Sequence, residues 1–372
     1  MVISNSADAF RVQYKMLVLT GLWPKENPNI VYRLRTLISW ISAFGLFGVL
    51  LIQLINDIKD FTKLSETLYI MVSYVGFIIK LLTFTYQRKE FLKMIHYLKD
   101  PIFVTYPEDL DHYMTKYIKQ SVLLASTFQL VIVGGLIFFA LFPILDNKPL
   151  PMPLPYDLGK YTTLMYCLQV IGESISAINH ICLDVMCTSL MGLAATYLNI
   201  LSERIMHLKE KDAVVEDVVI FNEISESTNE QMRNCVKHHL AIINMVDSIE
   251  DVFTIALFGQ FLTSVMVLCN TIFNIIVITV STQTIMLSDY MVAIVIQLFM
   301  YCWYGNEIIA KSLQIRDACY MAKWYAFDKK TCKYLFIIME RSKRPLRITT
   351  MKIYALSLTA FATVSTFSLT CY

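Results

Sequence analysis

The chain has 372 residues, a formal net charge of only +2, and 56% apolar against 17% charged side chains. Soluble domains are nearer to about 45–50% apolar and about 25% charged. The apolar excess falls in long runs separated by charged segments, which is typical of polytopic helical membrane proteins. The small net charge argues against a nucleic-acid partner.

Motifs that would indicate enzymatic or metal chemistry are missing from the sequence. There is no GxxxxGK[ST], GxSxG or HExxH pattern, so we do not expect an enzyme. The nine cysteines include no CxxC pair and have no zinc-like spacing with the six histidines. The sequence therefore predicts no metal and no cofactor.

In chain order, the first apolar run, Met16–Pro24, is too short to cross a bilayer, and we interpret it as a retained cytoplasmic or interfacial helix. Seven later stretches are long enough to cross roughly 30 Å of hydrocarbon at about 1.5 Å per residue. The predicted fold class is therefore all-α, a polytopic membrane protein with seven transmembrane helices. The predicted spans are about Thr36–Ile55, Thr67–Tyr86, Ser121–Leu145, Tyr161–Leu201, Val252–Val280, Tyr290–Ala310 and Ile353–Tyr372.

Lysine and arginine predict the orientation of these spans. Of the 32 such residues, 26 lie in the N-terminus and every second loop after it, whereas only four lie in the remaining loops. By the positive-inside rule the N-terminus is cytoplasmic and, with seven spans, the C-terminus is extracellular. A G-protein-coupled receptor has the opposite topology, and no DRY follows the third span and no NPxxY ends the seventh.

The cytoplasmic segments are predicted to form an anchor region of helical extensions at about 203–250 and 311–346. Within the second extension, Cys332, Leu335, Phe336 and Met339 repeat at i, i+3, i+4 and i+7, which makes an apolar stripe on one helical face. Such a stripe must be buried, either within this chain or against another subunit. The sequence leaves both alternatives open.

Three ionisable residues fall inside the fourth predicted span. Glu173, His180 and Asp184 are spaced i, i+7 and i+11, which places them on one helical face. Ionisable groups at membrane depth usually face the bundle interior or water. Glu173 lies nearer the outside and is a candidate for a ligand cavity. Asp184 is deeper, and we expect it to form a structural bond to another span.

Three motifs in the last quarter of the chain identify a family resemblance. YCWYGNEI (Tyr301–Ile308) resembles the YCxxGN segment of insect odorant receptors, and ACYMAKWY (Ala318–Tyr325) is similar to that family's AYxxxWY. MERSKRPLRITTMKIYALSLTAF (Met339–Phe361) is similar to the family's RSQRPLxLTAGKFYxLSLxTF. Together, and in this order, these motifs are highly specific.

The resemblance implies a single odorant receptor domain over residues 1–372 and a function in olfactory sensory transduction. Such receptors are odorant-gated, non-selective cation channels in the dendritic plasma membrane of sensory neurons, in which four subunits surround one pore. A tuning subunit binds a small volatile organic ligand and assembles with the odorant receptor co-receptor as a heterotetramer. The short second cytoplasmic loop resembles a tuning subunit and not the co-receptor. The alternatives are a seven-span metabotropic chemoreceptor and a gustatory-receptor-like homotetrameric channel.

The motif residues are predicted to be structural. Tyr301, Gly305 and Asn306 lie where the sixth helix leaves the membrane, where glycine permits close helix approach and asparagine can bond to backbone. We expect a joint there in preference to a gate. Trp324 and Pro345 are interpreted in the same way, and Pro345 is expected to end the cytoplasmic helix and to start the pore helix.

The family's ligand pocket lies in the outer half of the subunit, between the second, third, fourth and sixth spans. An apolar, aromatic cavity there would bind volatile molecules by shape and dispersion. Each single residue could instead serve ordinary interhelical packing. The candidate ligand-binding residues, chosen by depth, are Tyr69, Val72, Ser73, Phe138, Phe139, Met165, Gln169, Glu173, Tyr290, Ile294 and Gln297.

The seventh span, the pore helix implied by the resemblance at about 349–372, is rich in hydroxyl groups. Thr359, Thr363, Thr366 and Thr370 are spaced i, i+4, i+7 and i+11 and form one stripe on a helix. Such a stripe can line a water-filled conduit because hydroxyls partly replace ion hydration without adding charge. Alternatively, the hydroxyls bond back to carbonyls and pack against neighbouring helices. The resemblance favours a pore lining.

Overall fold

The computed structural model describes residues 4–146, 148–152, 154–156, 158–208, 218–277 and 282–370. Eleven α-helices occur in these ranges, together with four short 3₁₀ turns and one two-stranded hairpin. The α-helices are α1 (Arg11–Thr20), α2 (Ile30–Asp57), α3 (Phe61–Tyr86), α4 (Arg88–Tyr97), α5 (Pro101–Val104), α6 (Asp111–Leu145), α7 (Thr162–Met206), α8 (Val218–Val277), α9 (Thr282–Met321), α10 (Lys329–Arg341) and α11 (Leu358–Thr370). The strands are β1 (Thr349–Thr350) and β2 (Tyr354–Ala355).

Six of the predicted spans are confirmed as helices long and apolar enough to cross a membrane. They correspond to α2, α3, α6, α7, α8 and α9. With 45 and 60 residues, α7 and α8 are far longer than the roughly 20 residues that a bilayer requires. Both helices are therefore longer than one crossing of a bilayer requires.

Helix α7 forms the centre of the bundle. In the most apolar 18-residue stretch of α7, 89% of the residues are buried, whereas the corresponding share is 17% in α6 and 28% in α2. It packs against α2, α6, α8 and α9, while α3 packs mainly against α8. The α3–α8 contact depends on small residues, since a Cβ at Gly259 would lie 2.9 Å from a methyl carbon of Ile79. The exposed apolar faces of α2 and α6 are the surfaces left for lipid.

The N-terminal helix α1 packs onto this centre. The amide of Gln13 donates to Ser189 Oγ at 3.1 Å, and Ser121 Oγ donates to the carbonyl of Ala9 at 2.7 Å. Leu17 is fully buried on the same side. The chain is helical here over Arg11–Thr20, so the predicted helix begins earlier and ends four residues before Pro24, and it forms part of the core.

The segment predicted as one helical extension over 311–346 is two helices. α9 ends at Met321, and α10 begins after Asp328, whose carboxylate accepts the backbone N–H of Thr331 at 2.9 Å. Burial alone would raise the pKa of Asp328, but its hydrogen bonds to Thr331 hold that pKa below its ordinary value. The ionised carboxylate is a favourable N-cap and starts a new helix direction.

The predicted pore helix begins later than its sequence indicates. In place of a helix from about 349, the chain forms the hairpin β1–β2, and α11 begins only at Leu358. The turn has Met351 at φ +53° and Lys352 at φ +59°, and the N–H of Ile353 donates to the carbonyl of Thr350 at 2.9 Å. Left-handed backbone at two successive residues is incompatible with a right-handed helix. The described α11 has 13 residues, about 20 Å of helix.

The hairpin is fixed to α8. Both carboxylate oxygens of Glu250 accept hydrogen bonds from Thr349, one from its N–H at 3.2 Å and one from its hydroxyl at 2.7 Å. The N–H of Met351 donates to Thr254 Oγ1 at 2.7 Å. These bonds satisfy polar backbone groups that a two-residue ladder leaves free.

Candidate functional site

Five of the predicted ligand-binding residues meet where α3, α8 and α9 pack together. We refer to Tyr69, Val72, Ser73, Tyr290 and Ile294 as the tyrosine cluster. The first three lie on α3 and the last two on α9. Apolar neighbours from α8 and α9 surround the cluster, among them Val267, Leu268, Ile275 and Leu287.

Two hydroxyls of the tyrosine cluster, those of Ser73 and Tyr290, are hydrogen-bonded within it. The hydroxyls of Ser73 and Tyr290 are hydrogen-bonded to each other, and Ser73 Oγ also lies 3.1 Å from the carbonyl oxygen of Tyr69. The rings of Tyr69 and Tyr290 meet edge-on, with centroids 5.4 Å apart. A molecule entering between α3 and α9 would have to replace the Ser73–Tyr290 bond with contacts of its own.

Glu173 approaches the same region from α7. Its carboxylate accepts a hydrogen bond from the hydroxyl of Tyr74, which is one residue after Ser73 on α3. Sequence reasoning missed Tyr74, although a carboxylate at membrane depth requires a donor close by. The site thus combines aromatic rings, the four hydroxyls of Tyr69, Ser73, Tyr74 and Tyr290, and one carboxylate within mostly apolar surroundings.

A second polar network lies about two helical turns further along α9. Lys80 Nζ lies 2.5 Å from Asp184 Oδ1 and 2.7 Å from His180 Nε2, with the lysine side chain 3% exposed. Tyr301 donates to Asp184 Oδ1 at 2.5 Å, and the amide of Gln297 donates to Asp184 Oδ2. We refer to these five residues as the charged network.

The charged network confirms that Asp184 bonds to other spans, since its partners lie on α3 and α9. Gln297 is predicted as a ligand contact, but in the structure its side chain bonds within the bundle. Its amide donates to Asp184, and its side-chain carbonyl accepts the amide of Gln260 from α8 at 2.9 Å. A cavity of about 10 Å³ adjoins Lys80, Asp184 and Tyr301, close to the minimum for a single water. The network therefore joins four helices through a nearly closed set of hydrogen bonds.

The remaining predicted ligand residues lie on the α6–α7 side of the bundle. Gln169 is fully buried, and its side-chain amide bonds to both the N–H and the carbonyl of Met152, at 3.0 and 2.9 Å. Phe139 is buried in the same apolar core as Met152, while Phe138 and Met165 are half-buried. Gln169 thus fixes the loop at Met152 to α7. The structure does not bring Phe138, Phe139, Met165 or Gln169 into the tyrosine cluster.

The motif residues on α9 form the contact with the C-terminal segment. A Cβ at Gly305 would lie 2.5 Å from Leu356 Cβ and 2.6 Å from its carbonyl oxygen, so only glycine fits. One turn and a half earlier, the ring of Phe299 meets Phe361 of α11 edge-on, with centroids 5.5 Å apart. Because Tyr301 lies between these contacts and also binds Asp184, α9 connects the charged network to α11.

The other motif residues lie outside this contact. Asn306 is half-buried on α9, and Trp324 is 47% exposed in the 3₁₀ turn that separates α9 from α10. Pro345 starts no helix, contrary to expectation, because it lies in the extended connection between α10 and β1. There, the N–H of Leu346 donates to Ser312 Oγ at 3.0 Å and fixes the connection to α9.

The threonine stripe of α11 points away from α9. Thr359, Thr363 and Thr366 are exposed, whereas Ala360 is 2% exposed and Phe361 packs on α9. Thr363 and Thr366 also donate to carbonyls four residues earlier, at 2.9 and 2.8 Å. The hydroxyls of Thr363 and Thr366 thus bond back to carbonyls, as one sequence alternative has it, and the stripe forms an open face of this chain. The side chain of Thr370 lies outside the described residues.

The apolar stripe of α10 is divided between core and surface. Leu335 is buried, whereas Phe336 is 59% exposed. Cys332, Phe336 and Met339 line an open surface groove of about 620 Å³. One part of the stripe is therefore buried within this chain, and the other part is exposed at the surface.

Comparison with known proteins places this architecture in a family. The 7tm Odorant receptor family matches residues 60–369. The chain is 21% identical to odorant receptor 46a, isoform A, of Drosophila melanogaster over 92% of this chain and 90% of that one. It is 22% identical to odorant receptor Or1 of Anopheles gambiae over 92% of this chain and 88% of that one.

A solved structure has the same fold. The insect olfactory receptor OR5 from Machilis hrabei superposes with a TM-score of 0.84, covering 97% of this chain and 95% of that one at 16% sequence identity. The six long apolar helices, the motifs on α9 and the C-terminal segment, and the family match over most of the chain agree with one another. The chain therefore belongs to the insect odorant receptor family of multi-pass membrane proteins.

Proposed function

We propose that this chain is the odorant-binding subunit of a heteromeric, odorant-gated, non-selective cation channel in the dendritic plasma membrane of olfactory sensory neurons. The observation that carries the proposal is the continuous face of α9. Tyr290, Ile294, Gln297 and Tyr301 are spaced i, i+4, i+7 and i+11, so that one helix joins the tyrosine cluster, the charged network and the contact with α11.

The tyrosine cluster is the proposed ligand site. Its two rings offer apolar and edge-on aromatic contact, while the Ser73 and Tyr290 hydroxyls offer one exchangeable hydrogen bond. The relative from Machilis hrabei has been solved in complex with eugenol, with a TM-score of 0.84 over 98% of this chain. A small aromatic molecule with a hydroxyl group suits the same chemistry here, with Glu173 and Tyr74 as further polar partners.

The proposed route to the pore runs through α9. A ligand that separates Ser73 from Tyr290 displaces α9 relative to α3. The charged network resists sliding because Asp184 holds both Lys80 of α3 and Tyr301 of α9. The displacement would therefore be transmitted as a tilt of α9, and the Phe299–Phe361 contact passes it to α11.

The proposed assembly is a heterotetramer with the co-receptor. We propose a cytoplasmic N-terminus and α11 as the seventh, pore-lining segment, with its exposed threonines facing water. The exposed part of the α10 stripe, around Phe336, is the proposed contact with a neighbouring subunit in the cytoplasm. Because the threonine stripe is uncharged, it can pass cations without selecting strongly among them.

The test is current recording with and without the co-receptor, using an odorant panel that includes eugenol. We expect ligand-evoked cation current only on co-expression. Tyr290→Phe, which removes the hydroxyl and retains the ring, should shift the dose response, whereas Tyr320→Phe at a 75% exposed position should not. Current from this chain alone would favour the gustatory-like homotetramer, and a cytoplasmic C-terminus would favour the metabotropic receptor.

A further inference from the structure

A basic cavity lies at the junction of α1, α2 and α3, near the end of α3 and apart from the tyrosine cluster on the same helix. It has a volume of about 250 Å³. The loop after α1 forms one wall, the first turns of α2 form another, and the end of α3, with the start of α4, forms the third. The cavity lies at one end of α2 and α3, beside the start of the membrane-crossing part of α2.

The cavity is lined by cations without compensating acids. Lys25, Arg33 and Arg88 contribute to its walls, and no acidic side chain does. Within the part of the chain that the structure describes, none of these three cations forms an ion pair. Lys25 Nζ lies 4.4 Å from the centroid of the Tyr32 ring, and Arg88 donates to the carbonyl of Lys25 at 3.1 Å. Most of their hydrogen-bond donors therefore remain available to an anion.

The walls of the cavity are fixed by hydrogen bonds and a tight turn. The hydroxyl of Tyr32 donates to the carbonyl of Trp23 at 2.6 Å, and Thr36 Oγ1 donates to the carbonyl of Gly21 at 2.6 Å. Gly21 has φ +84°, and a Cβ there would lie 2.6 Å from the backbone nitrogen of Thr36. The cations are thus held on a preformed frame, which reduces the ordering cost of binding.

An apolar surface adjoins the cavity. The exposed apolar residues on the first part of α2 are each at least 50% exposed, and they are Ile30, Val31, Leu34, Leu37, Ile38 and Ile41. A surface of this kind beside unpaired cations matches an amphiphile, with its acidic part in the cavity and its hydrocarbon along α2.

We propose that this cavity binds the phosphorylated headgroup of an anionic membrane lipid, with the acyl chains lying along the exposed face of α2. A volume of about 250 Å³ is slightly below the range for drug-sized ligands, roughly 300–1,000 Å³, and suits a headgroup. Arginine and lysine are side chains that proteins commonly use to bind phosphate. The inference rests on the proposed orientation, which places the cavity in the cytoplasmic leaflet, where anionic lipids are concentrated.

The test measures binding of a short-chain phosphatidylinositol bisphosphate to the full-length chain purified in detergent. Water-soluble inositol trisphosphate and short-chain phosphatidylcholine are the comparison ligands. The test variant combines Lys25→Gln, Arg33→Gln and Arg88→Gln. The matched control combines Lys116→Gln, Lys119→Gln and Lys323→Gln, which removes the same charge at exposed positions outside the cavity.

We expect affinity for the bisphosphate lipid to fall about fivefold per lost cation, and roughly 100-fold in the triple variant. The control should bind normally, and phosphatidylcholine should bind weakly to all. Retained affinity in the triple variant, or an equal loss in the control, overturns the site. Equal affinity for inositol trisphosphate overturns the lipid as its occupant. If the triple variant does not fold, Arg33→Gln alone is decisive, because a loss under about twofold contradicts the expected fivefold effect.

Discussion

Replacing Lys80 with methionine should be among the most destabilising single changes on α3. The lysine and Asp184 side chains are 3% and 6% exposed, and their charged atoms are 2.5 Å apart. Removing one member leaves an uncompensated buried charge, which costs roughly 3–5 kcal/mol. Tyr301 and Gln297 still donate to the carboxylate, so we expect a value near the lower end, about 3 kcal/mol.

A second change should recover most of this loss. Asp184→Asn in the Lys80→Met background removes the isolated charge and retains an acceptor for Tyr301. The double variant should therefore lie only about 1–2 kcal/mol below the native protein, with one unsatisfied amide as the main cost. The implied coupling between the two positions is at least about 1 kcal/mol.

The measurement is the free energy of unfolding of purified variants in mixed micelles, titrated with a denaturing detergent and followed by helix content. Lys119→Met, at an exposed position on α6, is the matched control and should change the free energy by less than about 0.5 kcal/mol. Loss of under about 1 kcal/mol in Lys80→Met, or strictly additive single effects, would refute the buried-pair interpretation.

Gly305→Ala should lower surface expression and odorant-evoked current, because its Cβ would lie 2.5 Å from Leu356, whereas Gly45→Ala, where a Cβ meets nothing within 4 Å, should be tolerated. Met351→Gly should raise the free energy of unfolding by about 1 kcal/mol, since glycine relieves the left-handed backbone at φ +53°. An unchanged or lower value would show that the turn is not strained. Thr366→Lys should reduce cation current at normal surface expression, while Thr366→Val should retain expression and change conductance less. Equal conductance and selectivity in both would argue against a pore lining.

The long helices, and the bond of Asp184 to another span, could be predicted because each depends on a feature that can be read along the sequence alone. Apolar length defines a span, and an ionisable residue at membrane depth requires a partner. Lys80 carries the same signal and could have been paired with Asp184 on that ground. The family motifs added the position of the joint at Gly305.

The sequence could not show that the predicted ligand residues divide between the tyrosine cluster, the charged network and the α6–α7 side of the bundle. Depth selected Tyr290 and Gln297 together, and they share a face of α9, but seven residues separate them by about 10 Å along the axis. Gln169 has the right depth, yet its amide holds a loop at Met152. Which side of a helix meets which neighbour depends on packing, and this does not appear in the spacing along one chain.

The hairpin could not be predicted from the sequence either. Each strand has two residues, too few for a period-two pattern, and the left-handed turn is formed by Met351 and Lys352 without a glycine. In the family pattern quoted above, glycine stands at the position of Met351, which is the residue type such a turn prefers. The family pattern therefore contained a turn signal that this chain no longer shows.

The hairpin is attached to Glu250 and Thr254 of α8. It is therefore a fixed point about which α11 can rotate as a rigid arm. The arm is about 20 Å long, so a rotation of roughly 5° at the hairpin moves the far end of the described helix by nearly 2 Å. Phe361, which contacts Phe299 of α9, lies near the hairpin end of α11. In the proposed route, a small movement of α9 at Phe361 would therefore produce a larger displacement at the end of α11 remote from the hairpin.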